Sequence, residues 1–337
     1  MRLLIFGGTK FLGRAVAEEA LRRGHRVTTF NRGASGADVP GVTAVRGDRT
    51  SAEDLEVLAA QGDWDVAIDT SGMTPTLVQD STRILHGSAT RYVFVSTVNV
   101  YEGWPTLPLT DDSPVREYTP VGPAGESDAE EYGRLKAGCE QAVSNCYGDR
   151  AALLRPGVIL GPNEYVGRVP WWLNRVLAGG RVLAPGRPDW PIQPVDARDV
   201  AAFALDVADQ GLAGSYNVTA PIGHSTFGQF LHTCIKVTHS SAELIWVEDA
   251  FLREHGVPEW VGLPLWRDYE GTWNVHATRA KAAGLRCRPL EETIADTWQW
   301  LRGGAAVSSE RAAELGISRE REVELLATWD TRTEAAC

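Results

Sequence analysis

Met1-Arg-Leu-Leu-Ile-Phe6 is a short apolar run, and Gly7-Gly-Thr-Lys-Phe-Leu-Gly13 follows it at once. A helical pattern comes next, Arg14-Ala-Val-Ala-Glu-Glu-Ala-Leu-Arg-Arg-Gly24, and then a second strand pattern, His25-Arg-Val-Thr-Thr-Phe30. Strand, tight turn, helix and strand within about thirty residues is the setting of a dinucleotide-binding loop. Glycines there permit the turn and let backbone approach a pyrophosphate, and the helix N-terminus meets its negative charge. A purely structural turn is the plainer reading, but the context on both sides favours the cofactor. The candidate contacts are Gly7, Thr9, Lys10, Phe11, Leu12 and Gly13. Lys10 stands where a Gly-x-x-Gly-x-x-Gly loop has its middle glycine.

Working outward, the end of the second strand bears on the cofactor. An Asp or Glu here holds the ribose hydroxyls of NAD. This chain has Asn31-Arg32-Gly33 instead. Without the carboxylate a 2′-phosphate is not repelled, and Arg32 has the fork to pair with it. The reading prefers NADP. NAD stays open, because Arg32 could equally stack on adenine or face solvent.

The alternation continues. Val42–Asp48 reads as a third strand, with Asp48 and Arg49 at its end, and Ser51 with Asp54 marks a capped helix start. Asp65–Asp69 is a fourth strand, ending in Thr70-Ser71-Gly72; 76–86 is helix; Arg91–Thr97 is a fifth strand, bringing Ser96 and Thr97 to its end; Ala151–Pro156 is a sixth, followed by Val158. Repeated βα units predict an α/β fold, a Rossmann-type doubly wound parallel sheet with helices on both faces. Its ligand crevice lies at the carboxyl ends of the strands. Asn31, Arg32, Asp48, Arg49, Ser71, Gly72, Ser96, Pro156 and Val158 all fall at such ends and complete the candidate cofactor set.

The stretch Ala129–Val143 reads as helix and contains Tyr132-Gly-Arg-Leu-Lys136. Residues at i and i+4 share a helix face, so an ammonium lies beside a phenol. A neighbouring positive charge favours phenolate and makes Tyr132 a usable acid/base below its ordinary range of about 10. Alone, the spacing also describes a solvated helix face with an outstretched lysine. It gains weight from the loop that opens the chain.

The chain has 337 residues, 43% hydrophobic and 23% charged, in the range of ordinary globular proteins. A net charge of −11 argues against nucleic acid and against anionic membranes. No apolar run approaches a membrane span, and the first strand is too short for a signal peptide. Five scattered cysteines (139, 146, 234, 287 and 337) read as reduced thiols, hence a cytoplasmic protein. No metal-ligand spacing is present among the seven histidines.

After residue 160 the texture changes. Trp171, Trp172, Trp190, Trp246, Trp260, Trp266 and Trp273 mark a second region, most of them expected in its core and one or two near substrate. Val195–Ala201 and Ser215–Val218 read as strand returns to the first domain, and Thr226–Leu231 as a helix start. The expected organisation is a dinucleotide-binding domain over 1–160 with returning segments near 190–220, a mainly substrate-binding smaller region over 161–305, and a charged, solvated helical tail over 306–337.

The glycine-rich loop, Ser96-Thr97-Val-Asn-Val-Tyr101, Tyr132/Lys136 and Arg279–Trp300 together resemble the extended branch of the short-chain dehydrogenase/reductase superfamily, the NAD-dependent epimerase/dehydratases. The resemblance implies that Thr97 hydrogen-bonds the reacting oxygen and Tyr132 moves its proton. It also implies that Lys136 holds the nicotinamide ribose and lowers the tyrosine pKa. Two departures narrow the chemistry. Val98 and Asn99 stand where 4,6-dehydratases have Asp-Glu, and Val158 stands where nucleotide-sugar enzymes have Asn. The first expectation is thus an NAD(P)-dependent reductase or dehydrogenase acting on a carbonyl or imine of a small metabolite, an aromatic one included. A nucleotide-sugar epimerase is the alternative. A third reading comes from a subgroup with similar Gly-Gly-Thr-Lys-Phe-Leu-Gly and Phe-Asn-Arg-Gly stretches: a non-catalytic dinucleotide sensor or RNA-binding relative. Relatives of the extended branch also lead us to expect a homodimer through 76–86 and Ala129–Val143.

Overall fold

The computed structural model of the chain describes residues 1–304 and 310–336. They divide into two compact units. The first comprises Met1–Ile159, Pro194–Pro221 and Asn274–Cys287; the second comprises Leu160–Gln193, Ile222–Trp273 and Arg288–Cys337 as far as it is described.

The first unit is built on β1 (Arg2–Phe6), β2 (Arg26–Asn31), β3 (Thr43–Arg46), β4 (Trp64–Asp69), β5 (Ala89–Val95), β6 (Ala151–Pro156) and a last strand, Gly214–Val218. The seven strands lie in the order Gly214–Val218, β6, β5, β4, β1, β2, β3. All neighbours are parallel, with Phe6 level with Phe30 on one side and with Asp69 on the other. The chain leaves β1 outward to β2 and β3, then returns to place β4 on the other side of β1. That reversal opens a crevice at the carboxyl ends of β1 and β4.

Burial on both faces explains the unbroken apolar strands. Leu3, Ile5, Val66, Ile68, Val93, Val95, Ala152 and Leu154 face α1 (Phe11–Arg22) and the helix Ala197–Asp209. The alternate residues Leu4, Phe6, Ala67, Tyr92, Phe94 and Leu153 face α2 (Ala52–Ala60), α3 (Pro75–Leu85) and α4 (Asp128–Tyr147). Each large side chain buried this way contributes about 1.5–3 kcal/mol. Ser51 caps α2 by accepting from Asp54 N, as its sequence predicts.

One expected strand is corrected. Val195–Ala201 is strand only over Val195–Asp196. Asp196 accepts from Arg198 N and starts the helix Ala197–Asp209. The segment Asn274–Cys287 packs within the first unit, where Val275 bridges to Leu109 and Ala280 joins the core.

The second unit packs the helices Arg168–Leu177, Phe227–Thr238 and Leu290–Arg302 together, beside a parallel pair of strands, Arg181–Pro185 and Glu243–Val247. Trp172, Trp266 and Trp273 are buried in it, and Trp172 donates to Pro264 O. The helix Arg319–Ala336 departs from the solvated tail expected of it. Leu325 and Leu326 are buried, and Glu322 accepts from Arg175 and from Leu183 N. Residues 306–309 of that expected tail and Cys337 lie outside the described residues.

Candidate active site

The loop after β1 has the geometry of a close backbone approach. Gly7 and Gly8 adopt φ of 102° and 94°. A β-carbon on Gly13, one turn into α1, would sit 2.8 Å from Gly8 N. The helix can therefore lie on the loop only with glycine there. Phe11 carries the strain that a glycine would avoid, with φ of 39°. Lys10, the residue before α1, is exposed and its side chain makes no capping hydrogen bond to the helix. Thr9 and Leu12 are buried beside it.

Asn31 organises the end of β2. Its Nδ2 donates to Gly7 O, and its Oδ1 accepts from Gly33 N and Arg46 Nη1. Arg32 is exposed and lies 3.9 Å from the Asp48 carboxylate. Asp48 accepts from Thr50 N and Thr50 Oγ1, which hold its pKa below the usual carboxylate range. Arg49 turns inward, and its guanidinium is committed to Asp69. Ser71 is exposed, whereas Gly72 is buried, with Phe94, Val78 and Asp69 where a β-carbon would go. Ser96 Oγ is buried at the crevice end of β5 with no hydrogen-bond partner among the described residues. Pro156 closes β6, and Val158, buried, follows it.

Thr97, Tyr132 and Lys136 also belong to this unit. Thr97 follows β5, and its Oγ1 accepts from Asn99 N at 3.2 Å, starting a single turn over Val98–Val100. That acceptance leaves the hydroxyl proton free to be donated. α4 starts with a capping box, Ser127 to Glu130. Tyr132 is half-buried, and Lys136 is buried one turn on. Lys136 Nζ donates to Gly72 O at 2.7 Å and Val95 O at 2.8 Å, and lies 4.1 Å from the centroid of the Phe94 ring. Burial pushes its pKa down to about 8, against the pull of Cys139, Asp69 and Glu140.

Gly133 sets the distance between α4 and the Thr97 turn. A β-carbon on it would lie 2.1 Å from Asn99 O and 3.0 Å from Asn99 C. The Arg116 side chain, whose Nε would lie 3.0 Å away, can yield, but the Asn99 backbone at 2.1 Å cannot. Gly133→Ala should therefore cost about 1–3 kcal/mol, the range for overpacking, and should lower turnover by moving Tyr132 away from Thr97. Urea denaturation and steady-state rates check both. Unchanged stability would mean that α4 is not seated against Asn99.

Sequence reasoning missed three groups of the site. Asp69 is fully buried beneath the crevice and bound to Arg49, Tyr92 and Ser71 N. Glu140 is buried on α4 and takes Arg155 in a bidentate pair, Nε to Oε1 at 2.9 Å and Nη2 to Oε2 at 2.6 Å. Gly133 is the third. The lone carboxylate ending the apolar run Val66–Asp69 and the Lys-x-x-x-Glu spacing were the available signals. Among the described residues no group of three His, Cys, Asp or Glu side chains could hold a metal ion. Likewise no described helix is long and apolar enough to cross a membrane.

The chain is similar to several known proteins. Chloroplast stem-loop binding protein of 41 kDa b from Arabidopsis thaliana is 24% identical over 252 residues, 70% of this chain. The match spans 62% of that protein's length. Among solved structures, the Bordetella bronchiseptica enzyme WbmH in complex with NAD+ superposes with a TM-score of 0.69 at 18% identity, covering 89% of this chain and 98% of that one. UDP-glucose 4-epimerase of Thermotoga maritima with UDP-glucose gives a TM-score of 0.66 at 17% identity, covering 90% and 99%. At these identities the structures speak for the fold. A sequence profile of the NAD dependent epimerase/dehydratase family matches residues 3–219, which include the glycine loop, Thr97, Tyr132 and Lys136. With well over half its length so matched, the chain belongs to the NAD-dependent epimerase/dehydratase family.

Proposed function

We propose that this protein transfers a hydride to or from a carbonyl, imine or alcohol carbon of a small metabolite, with Tyr132 as acid/base. The observation that carries this is the buried ammonium of Lys136 one helical turn from Tyr132, on a helix seated against the turn that bears Thr97. A bound nicotinamide dinucleotide would supply the hydride donor or acceptor. The residues present fit such a group. The Lys10 side chain does not cap α1, Gly7, Gly8 and Gly13 clear the approach to it, and Ser96 Oγ lacks a hydrogen-bond partner among the described residues. Thr97 donates its hydroxyl proton to the reacting oxygen. Tyr132 gives or takes the proton at that oxygen, and the Lys136 cation holds the phenolate form within reach.

For the cofactor we favour NAD, in place of the NADP that Arg32 suggested from sequence. Asp48 puts a carboxylate within 3.9 Å of Arg32, where it competes with a 2′-phosphate for the guanidinium and repels it. The solved relative WbmH was itself captured with NAD+. Wild-type protein should bind NADH more tightly than NADPH, and Asp48→Asn should narrow the gap by tightening NADPH. Fluorescence titration of both cofactors decides. A wild type that prefers NADPH would refute the assignment.

Between net reduction and epimerisation, Lys10 in the glycine loop and Val158 in place of the nucleotide-sugar Asn favour the reductase, while Val98 and Asn99 argue against dehydration. The solved epimerase from Thermotoga maritima supports the alternative through a shared fold. A reductase oxidises its dinucleotide stoichiometrically when given a carbonyl or imine compound and exchanges it freely. An epimerase keeps its dinucleotide through gel filtration and isomerises a nucleotide sugar with no change at the nicotinamide absorbance band. The second pattern would overturn the reductase reading. The sedimentation mass of the same preparation tests the proposed homodimer through α3 and α4, and a monomer would refute it. RNA binding, which the name of the Arabidopsis relative suggests, is disfavoured by the net charge of −11.

A further inference from the structure

Beneath the crevice lies a charged group that the reaction above does not use. Asp69 ends β4 and has no exposed surface. Arg49 reaches it from the turn after the edge strand β3, Nη2 to Oδ2 at 2.8 Å and Nη1 to Oδ1 at 3.1 Å. Tyr92 OH donates to Oδ2 from β5 at 2.9 Å. Burial alone would raise the Asp69 pKa, but the guanidinium outweighs it and the carboxyl stays below its ordinary range. Removing one partner of such a pair is costly, so its presence at a ligand edge calls for a reason.

The reason we infer lies in the next three residues. Asp69 Oδ1 accepts from Ser71 N at 3.0 Å and so pins the turn Thr70-Ser71-Gly72. Gly72 is pressed onto the same carboxylate, since a β-carbon there would lie 2.9 Å from Asp69 Oδ2. The carbonyl of Gly72 is one of the two that take the Lys136 ammonium. We propose that Asp69, locked by Arg49, is a positioning residue: it fixes the 70–72 turn so that Gly72 O holds Lys136 at the crevice edge as a cation.

This inference rests on the Thr97–Tyr132–Lys136 reading only for its purpose. Its geometry can be tested without substrate or cofactor. The charged and titratable groups around Lys136 include Tyr132, Cys139 and Glu140 from its own helix, Asp69 from β4 and Arg49 from the turn after β3. Asp69 raises its pKa and Arg49 lowers it, so neutralising Asp69 has a defined sign.

The chain has four lysines, Lys10, Lys136, Lys236 and Lys281, so ε-¹³C-lysine NMR resolves each one. In wild type the Lys136 signal should titrate near pH 8. Asp69→Asn should lower that midpoint by about one unit or more, a roughly tenfold larger ratio of neutral to charged lysine. If Asp69→Asn does not fold, Asp69→Leu with Arg49→Met replaces the buried pair by apolar side chains, a change proteins often tolerate. The proposal predicts a lowered midpoint there too, because the turn has lost its anchor. A Lys136 midpoint unchanged in the folded variant overturns the positioning role. That result leaves the reaction reading intact, since the latter stands or falls on turnover of Tyr132 variants.

Discussion

Tyr132→Phe should lower turnover by roughly 10²–10⁴-fold, the usual contribution of a positioned acid/base, while the dinucleotide binds as before. The substitution removes one oxygen and leaves α4 intact. Its capping box at Ser127 and Glu130 and its Gly133 contact with Asn99 do not involve the phenol. The loss therefore has to appear in the chemical step. Thr97→Val should cost less, because it removes a single hydrogen bond to the reacting oxygen. Lys136→Met should approach the Tyr132 loss. It takes away the buried charge, and with it the hydrogen bonds to Gly72 O and Val95 O that hold the end of β5 to the turn after β4. Steady-state rates with a turned-over carbonyl or imine compound, alongside a binding titration for the dinucleotide, separate chemistry from binding. Full turnover in Tyr132→Phe would remove the tyrosine from the mechanism and the hydride-transfer reading with it.

The parts of this molecule that were legible in sequence are those whose signal is local. β1 and the glycine loop announce themselves because burial on two faces demands an unbroken apolar run, and a tight turn demands glycine. Ser51 with Asp54 and Thr226 with Gln229 mark helix starts because a cap and its partner lie three residues apart. Tyr132 and Lys136 were paired because i and i+4 lie on one helix face. The misreadings share the opposite cause. Val195-Asp-Ala-Arg-Asp-Val-Ala looks like a strand, yet one Asp196 hydrogen bond to Arg198 N turns it into a helix start. The return of Asn274–Cys287 to the first unit depends on Val275 meeting Leu109, far away in sequence. Burial of Asp69 and Glu140 was invisible for the same reason. An acidic residue defaults to the surface unless a cation finds it, and Arg49 and Arg155 lie 20 and 15 residues away.

Glu140→Ala should destabilise the protein by about 3–5 kcal/mol, because it strands the buried cation of Arg155. Both partners are nearly inaccessible, at 4% and 6% exposure. Burial works against the Arg155 charge, but the hydrogen bonds it donates to Glu140 and Tyr101, with the Glu140 charge, outweigh it and keep its pKa above the ordinary guanidinium range. The fork also continues past the pair. Arg155 Nη1 donates to Tyr101 OH at 3.0 Å, Tyr101 OH donates to Asn217 Oδ1 at 2.7 Å, and Asn217 Nδ2 donates to His276 O at 2.9 Å. One guanidinium thus ties α4, β6, the turn after β5, the last strand and the 274–287 return into a single network. A cavity of about 370 Å³, lined among others by Arg116, Glu117, Gln141 and Arg155, opens beside it. Water entering there can hydrate the stranded arginine, which places the expected cost toward the lower end of the range. The free energy of unfolding from urea denaturation reads the effect. Glu140→Met together with Arg155→Met should recover most of the loss, since a buried pair replaced as a whole by apolar side chains is often neutral. A single variant as stable as wild type would mean that the pair is solvated. A double variant no better than the single would shift the cost onto the Tyr101–Asn217 chain.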